Sequence, residues 1–137
     1  MRLLVDSSVW IDYFNGIVTP ECAYLHNAVG EVDLVVGDLI LAEVLQGFRR
    51  EKDFETARNA LLRFPVVDLG GAELAEKSAS NYRFLRSKGI TVRTTIDCLI
   101  ATFCIERDSW LLQKDRDFNT FSDLLGLQLV IPPEIPS

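Results

Sequence analysis

The amino-acid sequence predicts an α/β protein with three layers, α/β/α, built on a central, mostly parallel sheet of about four to five strands. Short apolar runs alternate along the chain with longer segments of helical spacing, which is typical of a parallel sheet covered by helices on both faces. The first apolar run, residues 3–5, has no polar position, as expected for a strand buried on both faces. We therefore expect residues 1–137 to form a single domain, which at this length can bury a sizeable core.

Capping residues, prolines and glycines mark the helix boundaries in the first half of the chain. Ser, Thr and Asp side chains can accept hydrogen bonds from the first N–H groups of a helix, and glycine commonly follows the last turn. The predicted elements are a strand at 3–5, a short helix capped by Ser7 or Ser8 and ended at Asn15-Gly16, a helix from Thr19-Pro20 to about Val29, a strand at 33–36, a helix capped by Asp38 and ended at Gly47, and a helix at about 52–63.

The second half of the chain continues this alternation. The predicted elements are a strand at 65–67, a long helix at 72–87 ended by Gly89, a helix opened by Thr94 or Thr95 and reaching Cys104, a strand at 110–112 and a last strand at 127–131. No apolar run approaches the roughly 18 residues of a membrane span, and the start of the chain lacks the pattern of a signal peptide. A cytoplasmic protein is therefore expected.

Cysteine and histidine usage excludes several kinds of site. The chain has three cysteines, no Cys-x-x-Cys pair, and one histidine, His26. An odd number of cysteines without such a pair argues against a disulfide framework or a structural zinc site. Cys98 and Cys104 lie in an apolar helical stretch and are expected in the core. A mechanism that needs two imidazoles within one chain is excluded as well.

The chain is acidic, with a net charge of −6. This total alone predicts a poor general binder of nucleic acid. The distribution of charge matters more than the total, because acids that bind cations would no longer repel a phosphate backbone. Several basic residues are candidates for nucleic-acid contact, although most are expected to be ordinary solvated charges: Arg49, Arg50, Lys52, Arg83, Arg86, Lys88, Arg93, Lys114 and Arg116.

Acidic residues follow two of the predicted strands. Asp6 ends the first strand, and Asp115 and Asp117 come shortly after the strand at 110–112. Each of them has an ordinary explanation as a turn or helix-capping residue. In βα units, however, the carboxyl ends of strands and the N-termini of helices share the sheet edge at which open α/β sheets hold ligands. We therefore expect these acids to converge there.

Asp97 and Glu43 are harder to explain as purely structural residues. Asp97 lies on the apolar stripe of its helix with Ile100, although Thr94-x-x-Asp97 also resembles a capping box, and the two explanations are compatible. Glu43 lies past the capping positions of its helix, and no lysine or arginine lies within one turn to pair with it. Both acids come early in their helices and are expected at the same sheet edge as Asp6.

Electrostatics limits what such a convergence of acids can be. Two carboxylates about 6 Å apart repel by about 3 kcal/mol at an effective dielectric of about 20. The pairs formed by four such acids would together rival the stability of a whole small fold, about 5–15 kcal/mol. The acids must therefore take up protons or bind cations. A ligand set of oxygens without His or Cys suits a hard ion such as Mg²⁺ or Mn²⁺.

Four short motifs, taken in order and with their spacing, resemble those of PIN-domain proteins, and among them the VapC-type toxins of toxin–antitoxin pairs. The motifs are Val5-Asp6-Ser7-Ser8-Val9-Trp10-Ile11, Glu43-Val44-Leu45-Gln46-Gly47, Thr95-Ile96-Asp97-Cys98-Leu99-Ile100-Ala101 and Asp115-Arg116-Asp117-Phe118. The resemblance covers essentially the whole chain. On the family's pattern, Ser8 falls on a small polar residue that supports the first acid.

The resemblance implies a PIN-like fold and a Mg²⁺- or Mn²⁺-dependent endoribonuclease. Four residues fall on the acidic positions of the family and are the implied catalytic set: Asp6, Glu43, Asp97 and Asp115. Asp117 falls on a further acid that is seen in many members. Asp6 and Asp97 are the expected principal metal ligands. Glu43 and Asp115 would complete the metal's surroundings or orient the attacking water, with Asp117 as an outer ligand.

The implied partners follow from the same resemblance. An RNA substrate is expected, with Lys114 and Arg116 the best candidates for a phosphate contact because they flank the acids. The resemblance also implies a cognate VapB-type antitoxin, a homodimer of this chain and a toxin–antitoxin hetero-oligomer, and no membrane.

Two other functions stay open at this point. A non-catalytic PIN-like interaction module is possible, although a binding scaffold has no need to keep mutually repelling acids. A phosphoryl-transfer or receiver-type α/β protein would use Asp6 as its nucleophile. The residue two positions after Asp6 is Ser8, so the Asp-x-Asp motif of the phosphatase type is missing.

Overall fold

The computed structural model describes residues 1–136, which form five strands and seven α-helices. The strands are β1 (Arg2–Val5), β2 (Asp33–Gly37), β3 (Val66–Val67), β4 (Trp110–Leu112) and β5 (Gln128–Leu129). The helices are α1 (Ser7–Phe14), α2 (Pro20–Ala28), α3 (Asp38–Gln46), α4 (Glu51–Leu61), α5 (Ala72–Ser87), α6 (Thr95–Glu106) and α7 (Asn119–Leu125). One turn of 3-10 helix, Arg116–Phe118, precedes α7.

The five strands form one parallel sheet in the order β3-β2-β1-β4-β5. β1 is the central strand, with Leu3 opposite Leu34 of β2 and Trp110 of β4. Just beyond the ladder, the N–H of Asp6 donates to the carbonyl oxygen of Leu112 at 2.9 Å. The end of β1 is thereby tied to the end of β4, and the predicted parallel sheet is confirmed.

Helices cover both faces of this sheet. Leu3, Leu4 and Val5 are all fully buried. Because successive side chains of a strand point to opposite faces, both faces of β1 are covered. The helices form two groups, since α1 packs against α2 and α3, and α3 against α4, whereas α5 packs against α6 and α7. Both groups contribute to one hydrophobic core. The predicted three-layer α/β/α arrangement is confirmed.

The C-terminal part of the fold differs from the prediction in one element and one boundary. Residues 119–125 form α7, which the sequence analysis did not predict, and the last strand covers only Gln128–Leu129 instead of 127–131. α7 buries Phe121, whose ring centroid lies 6.5 Å from that of Phe118. Gly126 ends α7 with φ +77°, a left-handed backbone conformation that glycine adopts freely. Packing of Phe121 stabilises a helix of seven residues that is too short to be stable by itself.

Two predicted helix caps are also wrong. The N-cap of α1 is not Ser7 or Ser8 but Asp6, whose side chain accepts from the N–H of Ser8, and the capping role considered for Asp6 is therefore present. The N-cap of α3 is Gly37, without a side-chain cap, and Asp38 is the first helical residue. The predicted caps Thr19 of α2 and Thr94 of α6 are confirmed.

Within residues 1–136, no helix combines the length and the apolar character that crossing a membrane requires.

Candidate active site

Asp6 lies between the end of β1 and the start of α1 and is only 6% exposed. Its Oδ2 accepts a hydrogen bond from Ser8 Oγ at 2.6 Å and a longer one from the Ser8 N–H at 3.4 Å. Burial raises the pKa of the Asp6 carboxyl above its ordinary value, the hydrogen bonds from Ser8 and Ser7 oppose this rise, and the charge of Asp115 adds to it. Ser8 therefore donates twice to the carboxylate that the resemblance expects it to support.

Glu43 is half-buried on α3, the helix that packs against α1. Burial is the main cause that raises the pKa of Glu43, a hydrogen bond with the Ser7 side chain partly offsets it, and the charges of Asp6 and Asp97 raise it further. Glu43 thus lies within electrostatic reach of acids from two other elements.

Asp97 lies in the first turn of α6 and is half-buried. Its N–H donates to Thr94 Oγ1 at 3.0 Å, which is the capping interaction that the sequence predicts. Burial raises the pKa of the Asp97 carboxyl, a hydrogen bond with Thr94 opposes the rise, and the charges of Asp6, Asp115 and Asp117 add to it. Asp97 therefore belongs both to the helix cap and to the acidic edge of the sheet.

Asp115 and Asp117 are held together by a local turn and by one arginine. Asp115 Oδ1 accepts from the Asp117 N–H at 2.9 Å. Arg93, in the loop between α5 and α6, donates from Nη2 to Asp115 Oδ2 at 2.8 Å and from Nε to Asp117 Oδ2. Its guanidinium is a fork that matches two carboxylates at once. These two acids therefore share one charge partner.

The two predicted phosphate contacts lie beside the acids. A surface cavity of about 370 Å³ is lined by Asp6, Ser8, Lys114, Asp115 and Arg116. The Lys114 ammonium is paired with Asp12 of α1, a carboxylate that is only 8% exposed. Lys114 therefore has a structural partner at the rim of this cavity, while the side chain of Arg116 is at its exposed edge.

The structure brings the five predicted acids to one edge of the sheet but does not assemble them into a ready metal site. Among the described residues 1–136, no three side chains of His, Cys, Asp or Glu lie close enough together to hold one ion. The expectation of a formed acidic cluster is therefore wrong for this arrangement. Like charges repel, and three of the acids have side-chain partners instead: Ser8 donates to Asp6, and Arg93 donates to both Asp115 and Asp117.

The chemistry of these residues nevertheless fits a hard divalent cation. All five acids supply oxygen, the donor that Mg²⁺ and Mn²⁺ prefer. The raised pKa values of Asp6, Glu43 and Asp97 mean that their negative charge is unfavourable where it stands. A cation would relieve that cost.

Sequence reasoning missed three residues of this edge. Arg93 was one of many basic candidates, Asp12 was not singled out, and Ser7 was interpreted only as a helix cap. A signal existed for Arg93, which directly precedes the cap of the helix that carries Asp97. For Asp12 the contact with Lys114 spans 102 positions, and no local pattern could have indicated it.

The family model for the PIN domain matches residues 3–124 of the chain. Among characterised proteins, the chain is 26% identical to VapC ribonuclease Mb1587 of Mycobacterium bovis over 128 residues, which cover 92% of this chain and 96% of that protein. The ribonuclease VapC11 of Mycobacterium tuberculosis matches with the same identity and coverage.

Solved structures agree at the level of the fold. The VapBC2 complex of Rickettsia felis, bound to a DNA fragment from its promoter, has a chain that matches with a TM-score of 0.73 and 17% identity, covering 95% of this chain and 98% of that one. VapBC-1 of Haemophilus influenzae matches with a TM-score of 0.74 and 16% identity, covering 95% of this chain and 97% of that one. VapC20 of Mycobacterium tuberculosis, a toxin that cleaves the sarcin-ricin loop, matches with a TM-score of 0.65 and 14% identity, covering 86% of this chain and 93% of that one. The match of the PIN domain model to residues 3–124 confirms the predicted resemblance. The chain belongs to the PIN domain family.

Proposed function

We propose that this protein is a Mg²⁺- or Mn²⁺-dependent endoribonuclease that acts as the toxin of a VapBC-type toxin–antitoxin pair. The observation that carries the proposal is the set of acids at the carboxyl edge of β1, where Asp6, Glu43 and Asp97 are buried or half-buried and have raised pKa values. The relatives named VapC ribonuclease support the same activity.

Asp6 and Asp97 would be the principal metal ligands. Asp115 and Glu43 would complete the surroundings of the ion or orient the attacking water, and Asp117 would be an outer ligand. When bound, such a cation makes water more acidic and stabilises negative charge on phosphate oxygens. No imidazole base is assigned, because the sole histidine, His26, lies on α2.

The chain's own residues position these acids. Ser8 donates to one oxygen of Asp6 at 2.6 Å, and Asp6 lines the cavity. Arg93 keeps Asp115 and Asp117 in one orientation. Arg116 would contact the phosphate backbone of the RNA. Lys114 would do so as well, after its ion pair with Asp12 breaks.

The proposed partners are an RNA substrate, a cognate VapB-type antitoxin and a second copy of this chain. Solved neighbours of the fold are toxin–antitoxin complexes, among them one from Klebsiella pneumoniae and one from Rickettsia felis, and this supports the antitoxin proposal. The homodimer and the hetero-oligomer rest on the family resemblance.

The decisive experiment is RNA cleavage by the purified protein with Mn²⁺ and with EDTA. Asp6→Asn and Asp97→Asn should each reduce metal-dependent cleavage by more than about 100-fold, since changes at residues around a metal commonly cost about 10–100-fold even outside the first ligands. Asp123→Asn is the matched control, because it neutralises an exposed acid on α7. Cleavage that persists in both site variants would reject the proposal.

Calorimetric measurement of Mn²⁺ binding distinguishes the nuclease from a non-catalytic interaction module. Absence of Mn²⁺ binding at millimolar concentration, together with absence of cleavage, would favour a non-catalytic PIN-like interaction module. Mn²⁺ binding that is lost in both Asp6→Asn and Asp97→Asn would favour the nuclease.

A further inference from the structure

The end of helix α5 is basic. Its first turns carry charges of both signs, Glu73, Glu76 and Lys77, whereas its end carries Arg83 and Arg86 and is followed at once by Lys88. The three basic residues at this end are exposed. In a chain with a net charge of −6, this is a concentration of positive charge within six positions.

Aromatic rings lie among these cations. Phe84 is 39% exposed, and the Lys88 ammonium lies 5.5 Å from the centroid of its ring. The Arg86 guanidinium carbon lies 5.6 Å from the centroid of the Tyr82 ring. Arg83, Phe84 and Arg86 also line a shallow surface depression of about 550 Å³. We call Tyr82, Arg83, Phe84, Arg86 and Lys88 the α5 strip.

The packing of α5 on α6 places the α5 strip at the acidic edge of the sheet. Lys77 Nζ of α5 donates to Glu106 Oε2 of α6 at 3.0 Å. Asn81 Nδ2 donates to Thr102 Oγ1, also at 3.0 Å. Asn81 comes four positions after Lys77 in α5, whereas Thr102 comes four positions before Glu106 in α6. The two helices therefore run antiparallel. If this register continues along both helices, Arg86 lies beside Asp97 along the helix axes.

The loop after α5 leads directly from the α5 strip to the acids. Lys88 and Arg93 are five positions apart, so their Cα atoms are at most about 18 Å from one another. Arg93 in turn bonds to Asp115 and Asp117. The loop thus connects the basic end of α5 to the arginine at the rim of the candidate active site.

We infer that the α5 strip binds a single-stranded segment of the substrate RNA next to the cleavage site. The inference rests on the proposed function and extends it to the path of the substrate. Arg83, Arg86 and Lys88 would contact successive phosphates, and the exposed face of Phe84 would stack on a base, which is how sequence-tolerant single-strand binding works. The position of the strip, at the edge where RNA has to enter, favours RNA over an acidic protein segment.

The test measures RNA binding separately from cleavage. A fluorescently labelled single-stranded RNA of mixed sequence is titrated by anisotropy at several KCl concentrations with full-length protein that carries Asp6→Asn. In this background, Arg86→Ala/Lys88→Ala should weaken binding about tenfold at low salt and make the slope of log K against log salt less negative by about 1.4. Phe84→Ala should weaken binding about fivefold with an unchanged slope, because stacking releases no counterions.

The matched control removes the same number of cations from another helix. Arg58→Ala/Arg63→Ala changes two exposed arginines of α4 and the residues just after it, which pack on the α3 side of the fold. This variant should bind RNA within about twofold of the parent and keep its salt slope. Equal unfolding temperatures of all variants would confirm that none is misfolded.

The possible outcomes distinguish RNA binding by the α5 strip from the proposed nuclease activity. RNA binding by the α5 variants that equals that of the α4 control would overturn the inference, even if the wild type cleaves RNA. Equal loss of binding to RNA and to a poly-glutamate peptide would also overturn it, because the strip would then be a general anion site. Loss of RNA binding by a protein that never cleaves RNA would support the strip and overturn the proposed nuclease.

Discussion

At the scale of single residues, Asp6 combines a structural role with a place in the candidate active site. Its carboxylate caps α1 by accepting from Ser8, and the same carboxylate lies at the cavity with Asp115. An asparagine at this position keeps the accepting oxygen that the cap needs. Asp6→Asn should therefore remove the negative charge without unfolding the start of α1, which makes it a clean variant for the cleavage test.

Asp97→Asn should stabilise the metal-free protein near neutral pH. In the folded protein the pKa of Asp97 is raised above 3.8, chiefly by burial, so ionisation of this acid favours the unfolded state. The gain in Tm of the variant should be largest well above the raised pKa, shrink as the pH falls through it, and vanish below 3.8. Calorimetry in EDTA across this pH range measures the effect, and Asp123→Asn serves as the control. A variant Tm at or below that of the wild type at neutral pH would contradict the prediction.

Arg93→Ala should tighten the binding of Mn²⁺ a few-fold. The Arg93 guanidinium occupies Asp115 and Asp117, and its positive charge opposes the approach of a cation. The effect is modest because Arg93 is well exposed and solvent screens its ion pairs. Isothermal titration calorimetry measures the dissociation constant directly.

Arg107→Ala is the control for this change, since it removes the same charge at the other end of α6, where Arg107 lies 3.7 Å from Glu73. Weaker Mn²⁺ binding by Arg93→Ala than by this control would show that Arg93 orients the two acids more than it competes for them.

At the scale of elements, the end of β2 is clamped to the segment that follows β3. A Cβ atom added to Gly37 would meet the Leu69 side chain, whose Cγ would be only 2.8 Å away. Asp38 Oδ1 accepts from the Leu39 N–H at 2.8 Å and from the Leu69 N–H at 3.0 Å. Gly37 and Asp38 therefore serve this junction, and the start of the helix that carries Glu43 depends on it.

Gly37→Ala should destabilise the fold by about 1–3 kcal/mol, the usual cost of overfilling a packed interior. The backbone of Gly37, with φ −75° and ψ 140°, would accept alanine, so the conflict with Leu69 is the sole cause. Urea unfolding measures the change.

Gly47→Ala is the matched control for the junction, because its added Cβ would lie an ordinary 3.6 Å from the Val44 carbonyl oxygen. It should be neutral or slightly stabilising. The cost of Gly37→Ala should also shrink in a Leu69→Ala background, and strict additivity of the two changes would argue against the proposed clash.

At the scale of the whole molecule, a parallel sheet gathers acids from distant parts of the chain at one edge. Strands β1 and β4 end there, and α3 and α6 start there. Five of the 20 acidic residues of the chain therefore lie at the edge that the phosphates of the proposed RNA substrate would approach. On the proposed path of the RNA, the basic α5 strip would offset part of the repulsion between these acids and the phosphates.

Mn²⁺ should raise the Tm of the wild-type protein, and EDTA should reverse the rise. A ligand that binds only the folded state adds about 2.7 kcal/mol at a concentration about 100 times its Kd. The double variant Asp6→Asn/Asp97→Asn should lose this gain, and KCl at matched ionic strength should not produce it. An equal rise in the double variant would place the cation elsewhere on the molecule.

Local sequence patterns by themselves determined the alternation of strands and helices, the caps Thr19 and Thr94, and the order of the acids along the chain. These features depend on hydrogen bonds and side-chain periodicity among near neighbours, so the sequence expresses them directly. The tertiary structure alone decided how close the acids come, that Arg93 bonds to Asp115 across 22 positions, and that Lys114 pairs with Asp12 across 102. Such contacts depend on the path of the whole chain, and so does α7, which is stabilised by the burial of Phe121.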